Sequence, residues 1–297
     1  MTRRACAIAV ALSLIACDGP DFLRPSQVTS TRLLAVIAEP PEAEPGTDVQ
    51  VSAMVAAPDG EATSLRITID LSPRALASSA GQDLFAPAEP IELVDGALAG
   101  AQTATAIEEL RALTENAGPG TAEQLVWRVY QEVGLIAFAR VAVIGADGAI
   151  IVEGVKRIGL APPNRASENP PPPRFALDDR WTSARAQPRF RCEPEGEPLR
   201  AAPGSTVVLA PDPDEGWLET YPLIDLSGAT VEGVEAAYYA WFAPIGELAF
   251  DMTRVPDPSV EWTIPDDAPT GPTSVWLVVR DGHLGESACE ARVEIAR

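Results

Sequence analysis

Apolar residues fall at every second position through several short stretches of this chain. Val49, Val51, Ala53 and Val55 alternate with Gln50, Ser52 and Met54, and Leu65, Ile67, Ile69 and Leu71 alternate with Ser64, Arg66, Thr68 and Asp70. Val260, Trp262 and Ile264 alternate with Glu261 and Thr263 in the same way. Successive side chains of a strand point to opposite faces, so this period predicts antiparallel sheets with one buried and one wet face. Pro45-Gly46-Thr47-Asp48 and Asp59-Gly60 are turn signals between such stretches. Gly145-Ala146-Asp147-Gly148 joins two apolar runs, 135–144 and 150–158, and predicts a hairpin. Residues 33–38 are an unbroken apolar run that stops at Pro40-Pro41.

Between about 104 and 133 the period lengthens. Ile107, Leu110 and Leu113 stand three apart in a stretch that ends by Gly118. Thr121-Ala122-Glu123-Gln124 fits a capping box, and Leu125, Val126, Val129, Tyr130 and Val133 then trace one helical face before Gly134. This predicts a helical insertion packed on one end of the first sheet region. Residues 161–186 carry Pro162-Pro163 and four consecutive prolines, 170–173, which predict an extended, semi-rigid linker. The chain therefore divides into 32–160, the linker 161–186, and 187–297.

The second half repeats the logic of the first. Pro203-Gly204-Ser205-Thr206 before Val207-Val208-Leu209 parallels the turn and strand at 45–55. With YYAWF at 238–242, SVEWTIP at 259–265 and GPTSVWLVVRDGHLG at 271–285, the last hundred or so residues resemble the Ig-like and PKD-like domains carried in tandem by bacterial envelope lipoproteins. The resemblance implies an all-β fold of two tandem immunoglobulin-like β-sandwiches, the first with the helical insertion, and a buried Trp241 on a central strand. It places Cys192 and Cys289, both on inward parities, on the first and last strands of the second sandwich. In an oxidising compartment that implies a disulfide, with two buried reduced thiols as the alternative.

The N-terminus carries its own signature. Arg3 and Arg4 precede an apolar run, 5–16, too short to cross a bilayer core of roughly 30 Å. It reads as a secretory signal, residues 1–16. Leu14-Ile15-Ala16-Cys17 resembles the lipobox of bacterial lipoproteins, which implies cleavage after Ala16, lipidation of Cys17 and a tether over 17–31. The implied location is the bacterial cell envelope, with the membrane engaged through the Cys17 lipid.

Charge and chemistry narrow the function. Lys+Arg is 22 against Asp+Glu 43, and loss of Arg3 and Arg4 with the signal deepens the net charge from −21 to −23. A nucleic-acid partner is excluded on that balance. The single histidine, His283, excludes sites needing several imidazoles and reads as a solvated loop residue. No nucleophile elbow, phosphate loop or dinucleotide fingerprint is present, so no cofactor is expected. Asp212, Asp214 and Glu215, followed by Trp217 and Tyr221, form a candidate calcium or glycan loop. The expectation is a non-catalytic, lipid-anchored envelope protein making structural or adhesive contact with envelope proteins or glycans. A glycan-binding surface module is the alternative, and a glycosidase-type hydrolase the third reading.

Overall fold

The computed structural model describes residues 24–297 except 59, 61–62, 83, 86–87, 185–189 and 213–215. The first sandwich is built from β1 (Arg32–Glu39), β2 (Glu42–Ala43), β3 (Val49–Ala56), β4 (Ser64–Asp70), β5 (Ile91–Glu92), β6 (Ala97–Leu98), β7 (Leu135–Ile144) and β8 (Ile150–Leu160). One sheet has the order β1-β3-β6 and the facing sheet β2-β8-β7-β4-β5. A three-stranded sheet cannot cover a five-stranded one. Helices α1 (Pro73–Ser79), α2 (Gly100–Glu115) and α3 (Ala122–Val133) close the remainder, contributing Leu76, Ile107, Leu110, Val126 and Tyr130 to the core.

The helices correct the sequence reading in two places. Leu113 is 44% exposed while Thr114 is buried, because at 100° per residue the seventh position, not the sixth, returns to the face of Ile107. Thr121 accepts a hydrogen bond from the Gln124 amide, but the Gln124 side chain donates to the Thr114 carbonyl and so ties α3 to the end of α2. The capping box is therefore a single cap. The 45–48 turn docks α2: Gly100 N donates to Asp48 Oδ1, and a Cβ at Gly100 would lie 2.1 Å from the Gly46 carbonyl oxygen.

The second sandwich comprises β9 (Phe175–Leu177), β10 (Arg180–Ala184), β11 (Cys192–Pro194), β12 (Leu199–Ala201), β13 (Thr206–Pro211), β16 (Tyr238–Phe242), β17 (Glu247–Leu248), β18 (Met252–Arg254), β19 (Val260–Thr263), β20 (Gly271–Arg280) and β21 (Glu286–Ile295). Its sheets run β11-β10-β9-β13-β19-β17 and β12-β21-β20-β16-β18. A separate ribbon, β14 (Thr220–Ile224) with β15 (Thr230–Val234), stands off the sandwich and meets α3, where Thr230 Oγ1 donates to Glu132. Trp241 and Trp262 are fully buried, with Trp241 edge-on to Phe175 at 5.6 Å. The fold is two tandem immunoglobulin-like sandwiches. In each, the entering chain switches sheets and its second part pairs in parallel with the last strand, β2 with β8 and β12 with β21.

Cys192 and Cys289 form a disulfide with Cα atoms 5.5 Å apart. The strand order around it differs from expectation. β9 and β10 precede β11, so Cys192 is not on the first strand, and residues 175–184 of the predicted linker belong to the sheet. Arg191, just before β11, bridges in parallel to Glu290 of β21.

The proline segment does not hold the sandwiches apart. Leu34, Ala35, Ile37, Met54 and Ala56 of the first pack on Ala240, Trp276, Val278 and Ala288 of the second in a third apolar cluster. The predicted wet face of β3 is therefore dry at Met54, 3% exposed. Asn169 pins the connector to both sides, donating to the Ala38 carbonyl and accepting from the Glu286 amide. Residues 24–28, expected as free tether, dock on the second sandwich. Arg24 pairs with Glu247, Ser26 Oγ donates to Asp251 at 2.5 Å, and Val28 is fully buried.

Candidate functional site: the acidic junction between the sandwiches

The predicted loop does not assemble as one site. Asp214 and Glu215 lie outside the described residues, as does Cys17. Asp212 is ion-paired with Arg174 at 2.9 Å, and Arg174 lies over the Trp181 ring at 4.8 Å. Trp217 is half-buried against the second core and lines a cleft of about 240 Å³ beside Asp212 and Tyr239. Tyr221 faces elsewhere, on β14, and stacks on His283 with ring centroids 3.8 Å apart. Among the described residues no group of three or more His, Cys, Asp or Glu is arranged to hold a metal ion.

A different cluster gathers where the sandwiches, the connector and the ribbon meet. Glu42 comes from β2, Lys156 from β8, Glu235 from the end of the ribbon, Asp281 from the β20–β21 turn and Glu286 from β21; each is buried. Two cavities open onto it, a groove of about 750 Å³ lined by Glu42, Ser167, Glu219 and Tyr221, and a pocket of about 210 Å³ at Lys156 and His283.

Lys156 is the chain's only lysine. It shares its strand parity with buried Ile158 and Leu160, so the sheet carries its amine inward, across the junction. There it donates to the Leu284 carbonyl at 2.7 Å and faces Glu286 at 3.5 Å, while Arg280 pairs with the same carboxylate at 2.8 Å. Burial depresses the Lys156 pKa, and Glu286 acts against that depression.

Of the acids opposite, Asp281 feels the Lys156 charge, which works against its burial, while no cation is among the groups that shift Glu42 and Glu235. Burial pushes Glu235 up to about 7, reinforced by Asp281, Glu219 and Glu42 and opposed by the Glu219 amide, which donates to Glu235 Oε2. Glu42 and Asp281 are also raised, first by burial; Ser167 opposes the shift at Glu42, and the His283 and Gly285 amides oppose it at Asp281. His283 is not a solvated loop residue. Tyr221 covers its ring, burial and then Arg157 push its pKa down to about 4, and its Nδ1 has no hydrogen-bond partner. Glu235 thus holds its proton up to about 7 and the imidazole stays neutral above about 4, without a hydrogen-bonded orienting group for a catalytic base.

The sequence offered one unused signal for this cluster, a lone lysine on an inward strand parity. Glu42, Glu235 and Asp281 gave none, because their burial arises only when separate elements meet.

No family model matches the chain, and none of the curated proteins matches it. Among solved structures, a nucleoside hydrolase-related hypothetical protein from Saccharophagus degradans is 20% identical over 44% of this chain and 26% of its own, with a TM-score of 0.23. The mixed-linkage glucan utilization locus SGBP-B of Bacteroides ovatus, in complex with a mixed-linkage heptasaccharide, is 12% identical over 90% of this chain and 48% of its own, TM-score 0.18. The CbhA fibronectin(III)-like modules of Clostridium thermocellum are 12% identical over 89% and 93%, TM-score 0.23. The chain thus spans about a quarter and about half of the first two. At these TM-scores the likenesses carry no argument, and the immunoglobulin-like assignment stands on the strand order itself. No helix among the described residues is long and apolar enough to cross a membrane.

Proposed function

We propose that this chain is a non-catalytic envelope protein, lipid-anchored at Cys17, whose two sandwiches act as one stiff body for structural or adhesive contact. The observation that carries the reading is the apolar cluster joining the sandwiches, backed by the Lys156–Glu286 pair across the same junction. A body locked by packing on one side and buried ions on the other transmits force instead of hinging. None of the six tryptophans and four tyrosines is fully exposed, which disfavours an open aromatic platform for glycans. The glycan reading retains one point of support, the cleft at Trp217 and Asp212.

Two measurements test the reading. The Cys17→Ser variant is expected to move from the detergent to the aqueous phase on partitioning. Screening the soluble form against envelope glycans and hydrolase substrates is expected to give neither binding nor turnover. Saturable glycan binding lost in Trp217→Ala would replace the contact function with the glycan one.

A further inference from the structure

Three exposed apolar side chains fall within six residues on and beside β18, the edge strand of the second sandwich: Phe250 at 64%, Met252 at 55% and Val255 at 45% exposure. Met252 pairs with Ala240, so it sits on the sheet face that packs on the first sandwich and carries that apolar face out past the interface. Thr253 points the other way, where it accepts from Trp241 Nε1.

The same edge receives the N-terminal segment. Arg24 donates to the Leu248 carbonyl and pairs with Glu247, and Ser26 engages Asp251 through both its amide and its hydroxyl. Gln27 bridges to Ala243 at the end of β16. Glu247 is thereby ion-paired with Arg24, and Asp251 accepts two hydrogen bonds from Ser26. Cys17 precedes Arg24 by seven residues, a reach of at most about 25 Å for an extended chain. A lipid on Cys17 cannot leave this edge far from the bilayer.

We propose that the Phe250–Met252–Val255 edge rests in the headgroup layer of the membrane that holds the Cys17 lipid, so that the second sandwich lies against the bilayer in a fixed orientation. The inference depends on the lipid-anchor reading above. The occupant is the bilayer because the anchored chain ends at this edge. Aromatic and aliphatic side chains beside a lipid anchor add the apolar contact that a surface-lying protein uses. The strongly acidic remainder of the chain opposes anionic headgroups, which keeps the contact to this one edge.

The test uses lipidated, full-length mature protein in phosphatidylcholine vesicles containing lipid brominated near the headgroup. Phe250→Trp places a reporter on an exposed position. Val94→Trp is the control: Val94 is 77% exposed and adjoins Asp95, whose carbonyl accepts from Gln50, the partner of Glu39 at the end of β1 away from Arg32. The added emission of Phe250→Trp is expected to shift to the blue and be quenched by the bromines, and that of Val94→Trp to do neither. Flotation with the vesicles but no quenching at position 250 leaves the anchor standing and overturns the docked orientation. Failure to float, with an unmodified Cys17 by mass, removes the anchor reading and this proposal with it. Concentration-dependent dimerisation of the soluble Cys17→Ser form, abolished by Phe250→Asp, would assign the edge to a second copy and also overturn the proposal.

Discussion

The two sandwiches complete their cores by different means. The first has a three-stranded sheet facing a five-stranded one and closes the gap with helices, so Leu110 and Val126 are fully buried although neither lies on a strand. The second has six strands facing five, needs no helical cover, and ties its sheets with Cys192–Cys289 over a separation of 97 residues. One core is thus finished by apolar side chains from an insertion, the other by a covalent link between its layers. Each solution is local, whereas the interface at Met54 and Trp276 and the ion pair at Lys156 belong to both sandwiches. Core closure and coupling are therefore separable properties of this molecule.

The largest expected effect comes from removing the covalent link. In the loop-entropy account, the Cys192→Ala/Cys289→Ala pair should destabilise the second sandwich by about 4 kcal/mol. Denaturant unfolding gives the magnitude, and amide hydrogen exchange locates it. Protection is expected to fall in β16 and β20 while α2 and α3 keep theirs. Equal loss in both sandwiches would show that the shared interface fuses them into one cooperative unit, and the contrast drawn above would fail.

The reciprocal change is Leu110→Ala, expected to cost about 3 kcal/mol through the cavity it leaves at a fully buried position. Exchange protection should then fall in α2, α3 and β7 and hold in β20. A cost below about 1 kcal/mol would mean that the helices lie over the first sandwich without completing its core.

These contrasts were unequally visible in the chain. Period two at 67–71 and 260–264 was legible because each of those strands has one core face, although Leu65, on the same parity, is 42% exposed; the disulfide followed from inward parity at Cys192 and Cys289. The interface had a signal of another kind. The unbroken apolar runs at 33–38 and 275–279 are strands buried on both faces, with Val36 and Leu277 turned to their own cores and Ile37 and Trp276 to the neighbour. Residues 175–184 read as linker because β9 and β10 are only three and five residues long and follow four prolines. The acidic junction was the least legible part. Glu42, Glu235 and Asp281 lie far apart in sequence and are raised first by burial, with neighbouring acids, Glu219 among them, adding to the shift at Glu42 and Glu235.

The smallest expected effect probes that junction through pH, and its sign can be worked out in advance. Glu235 titrates near 7 in the folded chain against an ordinary 4.5. Between those values the folded state keeps a proton that the unfolded chain has released, so this group's contribution falls as pH rises and is fully lost above about 7. His283, pushed down to about 4, works the opposite way between 4 and 6.5, because the unfolded chain takes up a proton that the folded one refuses. The two trends offset each other from about 4.5 to 6.5, while the raised Glu42 and Asp281 add to the Glu235 trend. Glu235→Gln removes the ionisation and keeps an acceptor for the Glu219 amide. The variant should match the parent near pH 5 and exceed it at pH 8 by roughly 2 kcal/mol, a figure reduced for the solvent that reaches the groove. Urea unfolding at the two pH values measures the difference. An equal change at pH 5 and pH 8 would mean that Glu235 ionises as readily in the fold as outside it. The acids facing Lys156 would then be ordinary hydrated groups, and the rigidity of the two-sandwich body would rest on the apolar interface and the Lys156–Glu286 pair.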